Sequence, residues 1–352
     1  MNRESGHLRA GSRRRAGADA ARRSARRRSV LAAVAWSPLW WIGTVFAQAK
    51  QKPVVIGWLQ FGSREVNLPR FMAFKEGLAA LGYKEGQQYV IEARWADGRR
   101  ERVRPLAEEL AAMTPAVIVA APNPTVAAAA NAAPMTPIVQ ATGGDPVLAG
   151  LAKSLARPGG MVTGLSNVVS EISEKYLEFL IALTPRPQRV GVLGSSTRTA
   201  GGKALREAVL RSAEHHSVDA RIEEATKPED IEAAISGLAK QGVQALVVLP
   251  TQLLSAERGR IVKLALVHRW PVLGFSREWP ESGAVLSYGV DVVASYRRAA
   301  YFVDRILKGA KPGDLPIEQP TKIELVVNMK AARDLGVSVP QSILLRADRV
   351  IE

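Results

Sequence analysis

The sequence predicts an α/β protein built as two doubly wound parallel-sheet lobes joined by a hinge. Three observations carry that expectation. Short apolar runs alternate with stretches of helical period, the pattern of βαβ units. The alternation completes one round, then starts again with units of similar length. Nearly half of the 352 residues are apolar, 47%, which is ample for buried cores.

The elements follow in order. Pro53 to Leu59 is a near-continuous apolar run, as a strand covered on both faces requires. Phe71, Phe74, Leu78 and Leu81 recur at three and four and predict a helix over 71–81, stopped by Gly82. Tyr89 to Trp95 alternates as a strand, and Arg99 to Met113 is a charged amphipathic helix. A strand over 116–121, a helix over 124–133 and a strand over 137–141 come next, then a Gly143-Gly144-Asp145-Pro146 turn and a helix over 147–156. The second round reads helix 171–183, strand 189–193, helix 202–216, strand 219–224, helix 229–240, strand 245–249, helix 254–269 and strand 271–275. A strand over 284–288, a helix over 294–308 and a strand over 322–328 would return the chain between lobes. The expected division is therefore a leader over 1–49, a first lobe over 50–165 with part of 284–330, and a second lobe over 166–283 with part of 310–352. The pairs Gly159-Gly160 and Ser282-Gly283 are candidate crossovers.

The leader itself is informative. Ten arginines and two acids, Glu4 and Asp19, precede an apolar run from Val30 to Phe46 and an Ala47-Gln48-Ala49 end. Basic, apolar and small-residue regions in that order describe an export signal cleaved near Ala49, and they place the mature protein in the periplasm. Arg27-Arg28-Ser29-Val30-Leu31 has twin-arginine character, and the general secretory route remains the alternative. With no cysteine the chain is neither a lipoprotein nor disulfide-bonded. The leader holds a net +8 of the formal +15, so only +7 is spread over the remaining 300 or so residues. No long basic run interleaved with aromatics is present, and nucleic acid is not an expected partner. Of His7, His215, His216 and His268 only the pair 215–216 is close in sequence, and neighbours on a helix point about 100° apart and cannot face one ion, so neither metal nor cofactor is expected.

In doubly wound sheets, ligands bind beyond the carboxyl ends of the strands. Reading those positions gives Phe61-Gly62-Ser63, Asn123-Pro124-Thr125 and Thr142-Gly143-Gly144-Asp145 in the first half. The second half offers Ser195 to Arg198, Thr251-Gln252 and Ser276-Arg277-Glu278-Trp279. Singly, each has a plainer reading: hydroxyls and Asp at helix starts are caps, a Gly pair is a turn, and Glu278 is a surface charge. Their recurrence at one topological position in both halves favours a site. Phe61 and Trp279 would offer a face for stacking. No nucleophile elbow, P-loop or dinucleotide fingerprint is found, and no enzyme is called for.

Several segments together carry a resemblance. They are Phe74 to Leu78 with Leu81-Gly82-Tyr83, Ile91-Glu92 to Trp95-Ala96-Asp97-Gly98, Gly144-Asp145-Pro146, and Ser154 to Gly160 leading into Val162 to Ser166. The most specific lie near the end: Ser287-Tyr288-Gly289, Tyr301 to Pro312, Asp314-Leu315-Pro316 and Gln319 to Asn328. In these the chain resembles the tryptophan/tyrosine-type substrate-binding proteins of ABC transporters, with the type I periplasmic binding-protein fold. The resemblance implies capture of a small organic solute, an amino acid among the candidates, and delivery by a monomer to an inner-membrane ABC permease. It also implies that Ser63, Asn123, Thr125 and Thr142 grip a carboxylate, and that Ser195, Thr251, Glu278 and Tyr288 close from the second lobe. Where family members often carry an acidic residue and proline after the strand ending at Leu249-Pro250, this chain has Thr251-Gln252. Glu278 or Asp145 would then be the partner of an ammonium group. A ligand-sensing module for a membrane receptor is the alternative role, and an α/β enzyme is a more distant one.

Overall fold

The structure, a computed structural model, describes residues 52–167, 169–183, 185–194, 200–320 and 322–352. The predicted leader, its cleavage site and the Ser195–Arg198 turn lie outside the described residues.

Five parallel strands form the first sheet: β1 (Val54–Gln60), β2 (Tyr89–Trp95), β3 (Val117–Ala121), β4 (Ile138–Gln140) and β5 (Val162–Gly164), in the order β2-β1-β3-β4-β5. Successive side chains of a strand leave on opposite faces, so a strand covered on both sides must be apolar throughout. Along β3, Val117, Val119 and Ala121 join one core, while Ile118 and Ala120 join another. The first core is closed by α1 (Arg64–Ala80) and α10 (Val292–Leu307), the second by α2 (Arg100–Ala112) and α3 (Asn123–Ala132). That is a doubly wound lobe.

The second sheet has seven strands, β6 (Arg189–Gly194), β7 (Asp219–Glu224), β8 (Ala245–Val248), β9 (Val272–Gly274), β10 (Leu286–Val290), β11 (Ile323–Asn328) and β12 (Arg349–Ile351), ordered β12-β11-β10-β9-β8-β6-β7. One face packs on α4 (Val169–Ile181), α5 (Ala200–His215), α11 (Met329–Leu335) and α12 (Gln341–Leu344). The other packs on α6 (Asp230–Lys240), α7 (Gln252–Ala256), α8 (Arg258–Val267) and the short α9 (Glu278–Glu281). All pairings are parallel except β10 with β11. The exception has a topological cause. The chain leaves β10 at its carboxyl end, runs through α10 against the first sheet, and re-enters the second sheet from the same end.

The crossovers are therefore not at the predicted glycine pairs. Gly159-Gly160 precedes β5 within the first sheet, and Ser282-Gly283 joins α9 to β10 within the second. The chain passes between sheets after Asn167, at Asp291 and after Glu318. The outer segments are laced together, the Ser166 N–H donating to the Glu318 carbonyl (2.9 Å) and the Glu318 N–H to the Gly164 carbonyl (2.9 Å).

Other departures from the sequence reading are local. Residues 147–156 are turns, not a helix. Asp145 Oδ1 accepts from the Val147 and Leu148 amides, but Gly150 then takes φ +71° and ends the coil after one turn. The helix expected over 254–269 divides at Glu257. There the Arg258 guanidinium donates to the Ser255 carbonyl (2.8 Å), the acceptor that residue 259 would use in a continuous helix. Helix α1 starts seven residues before Phe71 because Pro69, within it, forfeits only the bond to the carbonyl of exposed Glu65.

Buried phenols set an alkaline limit on the fold. Burial pushes Tyr296 up to about 12, and burial with a hydrogen bond to Asp304 (3.0 Å) pushes Tyr83 up to about 12. Burial also raises Tyr176. A phenol whose folded pKa exceeds its unfolded value contributes stability that is complete below about pH 10 and is lost as pH rises through the folded pKa. Melting temperature should hold to about pH 9.5 and fall between about pH 10 and 12. Phenolate absorbance at 295 nm should develop in step with that fall, and tyrosines titrating normally in the folded protein would contradict it.

Candidate functional site

The carboxyl ends of the parallel strands in both sheets converge on a set of polar side chains that the fold leaves without partners. In the first lobe, β1 ends in Gln60, only 1% exposed, whose Oε1 accepts a hydrogen bond from the Tyr296 hydroxyl (2.7 Å). Gln60 Nε2 is buried and unpaired. One turn into α1, Asn67 donates through Nδ2 to the Ser63 carbonyl (2.9 Å) and accepts from Arg70 Nη1 (3.0 Å). The guanidinium of Arg70, itself buried, reaches 3.9 Å from Glu278 Oε1 in the second lobe. Glu278 Oε2 is buried without a partner. Beside this contact, Gln252 Oε1 lies 3.7 Å from where a Cβ would stand on Gly62. The lobes thus meet across the cleft.

Next to β1, the segments after β3, β4 and β5 interlock around Gly143. Asn123 Nδ2 donates to the Asp145 carbonyl (3.2 Å), and Gln140 Nε2 donates to the carbonyls of Gly144 (3.2 Å) and Leu165 (2.8 Å). A Cβ on Gly143 would collide with Asn123 Oδ1 and stand 3.2 Å from Gln140 Nε2, so only glycine lets both amides close on the turn. Asn167 donates its backbone N–H to the Gly143 carbonyl (2.8 Å) and its Nδ2 to Thr142 Oγ1 (3.0 Å). Asn123 Oδ1, Gln140 Oε1, Asn167 Oδ1 and the hydroxyl of fully buried Thr125 have no hydrogen-bond partner.

In the second lobe, Ser276 after β9 is buried with an unpaired hydroxyl. Arg277 turns away from the cleft and pairs with Asp291 (2.7 Å), the N-cap of α10, and with Glu324 (3.9 Å). Burial, only partly offset by Arg277, holds the Glu324 carboxyl above its usual range. Arg277 thereby tethers the start of α9, which carries Glu278, to the Asp291 crossover and to β11.

The residues predicted from sequence divide accordingly. Asn123, Thr125, Thr142 and Glu278 fall among the converging polar groups, and Ser63 supplies its carbonyl to Asn67. Phe61 is half-buried against the α2/α3 core. Asp145 caps the turn that follows it, and Thr251 caps α7, its Oγ1 accepting from the Leu254 amide (3.0 Å). Trp279 is fully buried in the second lobe's core and offers no open face. Tyr288 packs on Phe179 of α4, ring centroids 4.8 Å apart, away from the strand ends. Ser195 lies outside the described residues. Sequence reasoning missed Gln60, Arg70, Gln140 and Asn167. A polar residue closing an otherwise apolar strand was the available signal for the two glutamines.

A separate cavity of about 460 Å³ opens beside the crossovers, lined in part by Leu165, Asp291, Arg298, Glu318 and Lys322. There Arg298 binds Glu318 through two hydrogen bonds (2.9 and 2.6 Å) and Asp291 binds Arg277. Those charges already have partners, unlike the polar atoms of the cleft.

The profile of the family described as ABC transporter substrate binding protein matches residues 59–351. The chain belongs to this family. It is also 27% identical over 264 residues to the tyrosine-binding protein of Clostridioides difficile (strain R20291), covering 75% of each chain. Among solved structures, this substrate-binding protein is similar to an ABC domain in complex with L-Trp from Streptococcus pneumoniae, with 27% identity and a TM-score of 0.79. That match covers 85% of this chain and 100% of the other. A conserved domain protein from Vibrio cholerae matches with the same identity, coverage and TM-score. The two-lobed fold of substrate-binding proteins expected from the sequence is thus the fold observed.

Proposed function

We propose that this substrate-binding protein captures an aromatic amino acid, tryptophan or tyrosine, between its lobes and delivers it to the membrane permease of an ABC importer. Export by the leader puts the mature chain, starting near Lys50, in the periplasm as a monomer. One lobe is built on the first sheet with α10 and the other on the second sheet, and closure about the crossovers buries the solute.

One observation carries the reading. Ten buried side-chain polar atoms among the described residues have no partner in the protein, and seven of them lie at or just beyond the carboxyl ends of the strands, in the cleft region: Gln60 Nε2, Asn123 Oδ1, Thr125 Oγ1, Gln140 Oε1, Asn167 Oδ1, Ser276 Oγ and Glu278 Oε2. Each such group costs about 1–3 kcal/mol unless something pairs with it, and folded proteins leave few of them. A compact zwitterion that both donates and accepts meets this demand in a way an apolar solute does not. The names of the relatives, one binding tyrosine and one holding L-Trp, support the choice of amino acid.

A thermal-shift screen of residues 50–352, refolded from denaturant to release carried-over solute, tests the proposal. At 100 times its dissociation constant, a true ligand adds about 2.7 kcal/mol, a rise of several degrees. L-tryptophan or L-tyrosine should produce it, and carboxylates, sugars and nucleobases should not. No shift with any aromatic amino acid would overturn the assignment.

A further inference from the structure

We infer that the solute presents its ammonium group, not its carboxylate, to the Thr142–Gly144 turn, where the side-chain oxygens of Asn123 and Gln140 receive it. This rests on the amino-acid reading and goes a step further, because it fixes which end of the zwitterion faces which strand. The resemblance assigned this region to a carboxylate.

The argument is about which end of each amide is already committed. A side-chain amide has a donor nitrogen and an acceptor oxygen. Gln140 places its nitrogen between the Gly144 and Leu165 carbonyls (3.2 and 2.8 Å). Carbonyls only accept, so the amide cannot be reversed, and the atom left buried and unpaired is Oε1. Asn123 is fixed in the same sense by the Asp145 carbonyl (3.2 Å), leaving Oδ1. Both amides abut Gly143. The side-chain atoms this turn holds unpaired are therefore oxygens. A carboxylate has no hydrogen to give them, whereas an ammonium has three. The end of β1 has a different character, with the buried Arg70 guanidinium following it in α1. Asn123 follows β3, which is adjacent to β1 and about 4.8 Å from it, a step that two charged groups on one carbon can bridge; Gln140, on β4, lies one strand further.

Calorimetric titration of the full-length mature protein tests this with four indole compounds: L-tryptophan, tryptamine, indole-3-propionate and N-acetyl-L-tryptophan. The tyrosine counterparts are run in parallel. Indole-3-propionate and N-acetyl-L-tryptophan, which lack the ammonium, should bind ~100-fold more weakly than the parent. Asn123→Leu, alike in branching, and Gln140→Met, close in volume, made separately, should each shrink that selectivity to less than ~10-fold, by weakening tryptophan and tryptamine while sparing indole-3-propionate. A purely structural role would weaken all the compounds alike, and that result overturns the inference. So does indole-3-propionate binding within about threefold of tryptophan to the parent protein. If none of the compounds binds, the amino-acid reading itself fails and this inference falls with it.

Discussion

Glu278→Gln is expected to weaken solute binding by about 10- to 150-fold while leaving the melting temperature of the unliganded protein nearly unchanged. The two halves of that expectation come from the two oxygens of one carboxylate. Oε1 faces the Arg70 guanidinium at 3.9 Å, a long contact by a side chain that is one-quarter exposed. Such a pair contributes little to stability, and Arg70 keeps its bond with Asn67 when the charge is removed. Oε2 is different, because it is buried and has no partner. A solute held between the lobes would satisfy it, and a hydrogen bond to a charged group is worth about 1.5–3 kcal/mol. Titration calorimetry with the best ligand of the screen measures the first half, and a melting curve without ligand the second. Affinity within twofold of the parent would return Glu278 to the role of a surface charge.

How much of this could be read from the sequence depends on how local the governing physics is. Strands β2 and β7 were legible to their end residues. Tyr89–Trp95 alternates in polarity, and Asp219–Glu224 sits at the place the strand–helix succession demands. The position of the candidate site follows from a related rule: in parallel βαβ topology ligands sit past the strand ends. The membership of the site was only partly legible. Gln140 ends a strand whose other residues are apolar, and nothing near it in sequence shows that Leu165, twenty-five positions on, takes up its nitrogen. Arg70 stands just ahead of the helix predicted over 71–81, and nothing local singles it out until the second lobe brings Glu278 to it. Trp279 errs the other way. Its sequence position suggests a stacking face, yet it sinks into the core against Gly274, where a Cβ would overlap the indole ring. Its destination was set by a glycine five residues earlier. The antiparallel β11 was likewise invisible locally, since its direction follows from where α10 takes the chain.

The largest effect on stability is expected at Gly164, where fold and site depend on the same missing methyl group. Gly164 ends β5, pairs with Gln140 in register and adopts φ +123°, a conformation side chains rarely take. A Cβ there would overlap the backbone carbonyl of Gln140 and come within 2.8 Å of its nitrogen. Backbone cannot move aside as the tip of a flexible side chain can, so Gly164→Ala combines dihedral strain with overpacking. Together they should cost about 3 kcal/mol or more, lowering the melting temperature by about 6 °C or more. Gly86→Ala is the control. Gly86 also has positive φ, +78°, but nothing lies within 4 Å of its Cβ position, so only about 1 kcal/mol of strain is expected there. The difference between the two substitutions reports the contact with Gln140 together with the less accessible φ of Gly164. Because Gln140 holds the carbonyls of Gly144 and Leu165 through its side chain, displacing its backbone should also disturb the turn around Gly143. Gly164→Ala should therefore lose ligand affinity at temperatures where it is still folded, whereas Gly86→Ala should bind as the parent does. Equal destabilisation by the two variants would show that β4 yields to the added methyl, and the coupling of this strand pair to the site would then be without support.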